Sequence, residues 1–168
     1  MFRPSYEGKQ ILAERNLLRL RIFHALFPEN SLTPAGIAFV EEGKKQAWGV
    51  VTNILRKRSA DYKIYQQVFY TKQGYAATGK NREAFERHEE FVPKIAKPIL
   101  AKIREAGIAV DSAEVNVCNA GGKPVFFEVK AISQIKCLKI IQRTVTNERQ
   151  RNKLIHLLQE LEFVEQQL

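Results

Sequence analysis

The sequence predicts an α+β fold: a helix and a β-hairpin form a small lobe, packed on a mostly helical part that carries a second, small hairpin. Three observations predict it. KQILAERNLLRLRIFHAL, residues 9–26, places Ile11, Leu18, Ile22 and Ala25 at helical steps of three or four. GIAFVEE and QAWGVVTNIL, joined through Gly43, are rich in β-branched and aromatic residues, the mark of a hairpin. EVNVC and PVFFEVKAI flank the glycine turn NAGGK, a second hairpin over residues 113–131. The parts divide at residues 1–55 and 56–168.

The remaining elements follow in order. PEN and TP break the chain after the first helix. RKRSAD is a basic loop, and YKIYQQVFY reads equally as strand or helix. From Arg82 to Ala106 the pattern is helical, with Phe85, Val92, Ile95, Ile99 and Ile103 on one side. Pro93 and Pro98 imply a break or kink, and Gly107 suits a C-cap. Ser133 to Arg143 reads as a short helix. Thr146 is placed to cap a final helix with a stripe of Leu154, Leu157, Leu158, Leu161 and Val164.

Apolar residues make up 45% of the 168, enough for a real core. Lys plus Arg number 27 against 18 Asp plus Glu, a net charge of +9 that favours anionic partners: nucleic acid, nucleotide, another phosphorylated anion or an anionic membrane surface. There is no apolar run of about 18 residues to span a membrane. MFRPSYEGKQ lacks the apolar core of a signal peptide, so a cytoplasmic location is expected. Cys118 and Cys137 are isolated and read as reduced core thiols. His24, His88 and His156 have no metal-ligand spacing, which argues against a zinc site.

The richest stretch chemically is DSAEVNVCNAGGKPVFFEVK, residues 111–130, with an acid, an amide, a second acid and a lysine around a tight turn. Asp111 and Asn116 are spaced D-x-x-x-x-N, and Glu128 ends the strand after the turn. Taken with the helix and hairpin before it, this order resembles an incomplete protein-kinase-like fold from about Glu7 to Lys130. The resemblance implies a protein that binds ATP and magnesium, a phosphotransferase or a pseudokinase. By that resemblance Asp111 would orient or deprotonate the acceptor, Asn116 and Glu128 would bind magnesium, Glu14 would be the lysine-pairing glutamate of the helix, and Thr52, Asn53 and Leu55 would lie beside the adenine. This sequence departs from that pattern at Ala109 and Val110, where His-Arg is usual, and at Glu128, which is not followed by Phe-Gly. Only Lys9, Lys44 and Lys45 stand as candidates for the nucleotide lysine.

FFEVK also resembles the E-x-K strand of the PD-(D/E)XK nucleases. That resemblance implies a magnesium-dependent nuclease, with Asp111 and Glu128 on the metal and Lys130 activating the attacking water. Residues 128 and 130 share one face of a strand, as such a site needs. A third signal is GYAATGKN, Gly74 to Asn81, which nearly matches a phosphate-binding loop but has Asn81 in place of the magnesium-binding hydroxyl. Arg56, Lys57, Arg58, Trp48 and the interleaved FYTKQGY leave open a non-enzymatic, basic nucleic-acid-binding protein.

Overall fold

The computed structural model describes residues 2–4, 8–42, 45–53, 94, 96–110, 117–120 and 123–168. It is an α+β arrangement of helices with small antiparallel sheets. In chain order, β1 is Phe2–Pro4, α1 Gln10–Leu26, β2 Pro34–Glu42, β3 Lys45–Thr52, α2 Lys97–Glu105, β4 Ile108–Val110, β5 Val117–Ala120, β6 Lys123–Phe126, β7 Val129–Ile132, α3 Gln134–Thr144 and α4 Glu148–Glu165.

Helix α1 is the centre of the described residues. Leu12, Ala13, Leu17, Leu18, Leu20, Ile22 and Phe23 are all buried, more than half the helix circumference. The expected stripe held only Leu18 and Ile22 of these. The difference has a cause: α1 is covered on one side by β2 and β3 and on another by α4. A helix enclosed by two layers needs apolar residues around most of its surface.

The expected hairpin is β2–β3, with Ile37 opposite Val50 and Phe39 opposite Trp48. β1 joins it on the other edge of β3, with Phe2 opposite Val51, giving the order β1-β3-β2. FRP shows no alternation long enough to announce this strand. PVFFEVKAI, expected as one strand, is two. β6 pairs with β5, β7 pairs with β4, and Phe127 and Glu128 lie between them. β4 follows α2 directly, with Ile108 opposite Ile132 and Val110 opposite Val129.

The caps follow local chemistry. α2 starts beside Pro98 and ends at Gly107, whose φ of +77° suits only glycine. Gly107 also accepts the Ser133 N–H at 2.7 Å, which docks the start of α3. The final helix is capped one residue later than expected. Asn147 Oδ1 accepts the Gln150 N–H at 2.9 Å.

Side chains from α1, β3, α2, β4, β6, β7, α3 and α4 form one continuous core, with Phe23, Phe126, Ile103, Ile141 and Leu161 fully enclosed. Residues from both sequence-defined parts, 1–55 and 56–168, therefore share it. Cys137 belongs to this core as a free thiol, pushed up to about 11 by burial. The side chain of Cys118 lies outside the described residues.

Candidate functional site

Glu14 is half-buried on α1, and its carboxylate accepts from Gln10 Nε2 at 2.8 Å, one turn earlier on the same helix. Thr52 is buried at the end of β3, where its hydroxyl donates to the Asn53 carbonyl at 3.2 Å. Asn53 closes a clasp on the strand opposite. Its side-chain oxygen accepts the Thr33 N–H at 2.9 Å, and its own N–H donates to the Thr33 carbonyl at 3.0 Å. The backbone N–H of Asn53 is thus engaged within the fold. Leu55, Asp111 and Asn116 lie outside the described residues, as do Lys44, Arg56–Arg58, His88 and the glycine loop Gly74–Asn81.

Glu128 is exposed in the link from β6 to β7. It lines a cavity of about 130 Å³ with Asn16 and Leu20 of α1, Val50 of β3, and Phe127 and Val129. Lys130 is exposed on β7, and its carbonyl accepts from Arg19 Nη1 at 2.6 Å. Glu128 and Lys130 flank the buried Val129, which pairs with Val110 of β4. Among the described residues, no three His, Cys, Asp or Glu side chains come together as a metal site.

A larger cavity, of about 510 Å³, opens between α1 and the N-terminal half of α4. From α1 it takes Arg21, His24 and Ala25. From the chain entering β2 it takes Thr33 and Pro34. From α4 it takes Gln150, Lys153, Leu154 and Leu157. None of these is acidic. Arg21 and Lys153 are solvent-exposed, so their charges are hydrated and free to turn toward a ligand.

The position of His24 follows from its neighbours. Ser31 Oγ lies 2.8 Å from His24 Nδ1 and donates its single proton to the Phe27 carbonyl at 2.9 Å. A hydroxyl that donates there is open to accept from Nδ1–H, and in the neutral ring of that tautomer Nε2 keeps its lone pair. Partial burial lowers the His24 pKa below its ordinary value of 6.5, because desolvation disfavours the charged ring.

This cleft was not legible in the sequence. Arg21 and His24 stand three residues apart on α1, one face of a helix. Their partners on α4 are more than a hundred residues away, and packing of α1 against α4 alone brings them together. The sequence pattern weighed His24 only as a metal ligand.

The described helices include none long and apolar enough to cross a membrane. The chain matches no known family model, no curated protein and no solved structure.

Proposed function

We propose that this protein binds nucleic acid through the basic cleft between α1 and α4. The carrying observation is the cavity lined by Arg21, His24 and Lys153 with no acidic side chain among its lining residues. In a chain of net charge +9, such a cavity attracts phosphate and releases counterions when it binds a nucleic-acid backbone. The test is a salt titration of oligonucleotide affinity. Wild type should show a linear fall of log K with log salt. The double variant Arg21→Ala, Lys153→Ala should lose about 0.7 of slope for each phosphate contact removed on a single strand. A slope unchanged in the double variant would overturn the assignment to this cleft.

A second reading, metal-assisted phosphodiester cleavage, is favoured by one specific observation. The β4–β7 pairing sets Val110, the residue before Asp111, opposite Val129, which Glu128 and Lys130 flank. Two strands meeting beside an acid and a lysine is the arrangement that E-x-K chemistry uses. This reading expects magnesium-dependent cleavage of DNA or RNA that disappears in both Glu128→Ala and Lys130→Ala.

The kinase-like, ATP–magnesium reading also uses Glu128. It draws support from the helix-and-hairpin packing beside the β6–β7 link. The cavity there, about 130 Å³, falls below the range of about 300–1,000 Å³ that small-molecule sites occupy. This is why the basic cleft ranks first. A magnesium-dependent thermal shift with ATP that vanishes in Glu128→Ala would reverse that order.

A further inference from the structure

The basic cleft has two kinds of wall. Arg21 and Lys153 offer cations, while Ala25, Leu154 and Leu157 offer apolar surface. A site for a phosphate backbone alone needs only the cations. Apolar surface beside them matches the flat, poorly hydrated face of a nucleobase. The volume, about 510 Å³, lies within the range of sites that enclose a small molecule, about 300–1,000 Å³. His24 adds a polar atom. With Nδ1–H committed to Ser31, its neutral ring keeps Nε2 as an acceptor, suited to a base N–H or a sugar hydroxyl.

A base can use the apolar wall only if it is unpaired. In a duplex the bases are stacked inside, and bringing one out costs a few kcal/mol. We infer that the cleft receives one unpaired nucleotide of a single-stranded nucleic acid, with its phosphate toward Arg21 and Lys153 and its base against Ala25 and Leu157. This rests on the nucleic-acid reading above and narrows it to single strands.

The experiment is a fluorescence-anisotropy titration of the full chain with a short single-stranded DNA and with the blunt duplex of the same sequence, at one salt concentration. The single strand should bind about tenfold tighter or more, because a duplex must first spend a few kcal/mol to expose a base. Ala25→Phe, which fills the cleft, should abolish that preference. So should Arg21→Ala with Lys153→Ala, two exposed positions whose loss leaves the core intact. Circular dichroism and the thermal midpoint verify that each variant is folded. Equal affinity for strand and duplex would overturn the inference, and so would a preference that survives in folded Ala25→Phe. Either result leaves nucleic-acid binding standing. Failure of both DNAs to bind would remove the nucleic-acid reading itself. Adenosine monophosphate that binds but is not displaced by the single strand would mark a free-nucleotide site and overturn the inference.

Discussion

Arg19 on α1 holds Glu165 at the end of α4, 146 residues further along the chain, through Nε at 3.1 Å and also through Nη2. The remaining Nη1 donates to the Lys130 carbonyl at 2.6 Å. One guanidinium thus ties the central helix to the last helix and to the strand beside Glu128. Its side chain is only 11% exposed and that of Glu165 30%, so the pair is partly shielded from the screening that makes surface ion pairs weak. Arg15 lies one turn earlier. Desolvation first, and then the neighbouring Arg19 charge, lower its pKa, while Glu165 raises it; its Nε is buried without a hydrogen-bond partner.

Glu165→Gln should therefore destabilise the fold by about 2 kcal/mol, within the range for a hydrogen bond to a charged group. Removing the carboxylate leaves both arginines without their counter-charge. The measurement is urea unfolding with the slope held common. A loss below about 0.5 kcal/mol would mean that the pair is solvated like an ordinary surface bridge.

Gly107 and Gly36 make a matched pair of tests. At Gly107, with φ +77°, an added Cβ would sit 2.6 Å from Lys136 Cβ and 3.1 Å from the Ser133 carbonyl. At Gly36 it would meet nothing within 4 Å. Gly107→Ala should cost more than about 1 kcal/mol, through positive-φ strain and the displaced start of α3. Gly36→Ala should stay within about 0.5 kcal/mol of wild type. Thermal unfolding of the two variants checks the contrast.

Phe23 is fully buried at the heart of α1, whereas Phe163 on α4 is 64% exposed. Phe23→Ala should cost about 3–5 kcal/mol, from lost transfer energy and the cavity left behind. Phe163→Ala should be near neutral. If the two variants unfolded at similar denaturant concentrations, the assignment of α1 as the central helix would be wrong.

The pH dependence of stability carries the signature of His24. Its folded pKa is depressed by burial, so on acidification the unfolded chain binds the proton first. The contribution is complete above the unfolded value of about 6.5, and it is lost as pH falls through that value and then through the folded one. His24→Asn should show a smaller loss of stability than wild type between about pH 7 and about pH 5. Protonation also removes the Nε2 lone pair that accepts from the nucleotide, so oligonucleotide affinity should fall over the same window in wild type and stay flat in the variant. Parallel wild-type and variant curves would remove His24 from both roles.

Local pattern made much of the fold legible. The α+β class, the β2–β3 hairpin and the final helix, with Leu154, Leu158 and Leu161 inward, followed from periodicity and β-branched runs. So did the glycine end of α2. These features depend on residues within a few positions of one another, which a sequence displays directly. Glu128 and Lys130, expected on one face of a single strand, are separated in role instead: Lys130 lies on β7 and Glu128 in the link before it.

What the sequence could not display depended on partners far along the chain. β1 exists because β3 offers it an edge, and PVFFEVKAI divides because β5 and β4 claim its two halves. Asn53 became a clasp on Thr33, and Glu14 a partner of Gln10, at positions where the kinase-like resemblance implies a hinge and a lysine pair. Sequence alone determined the residues' charges, their helical and strand periods and the turns between them. Tertiary structure decided which faces meet. It brought Arg21 and His24 to Lys153 and Arg19 to Glu165, because burying α1 on two sides against the sheet and α4 stabilises the chain more than any local contact can.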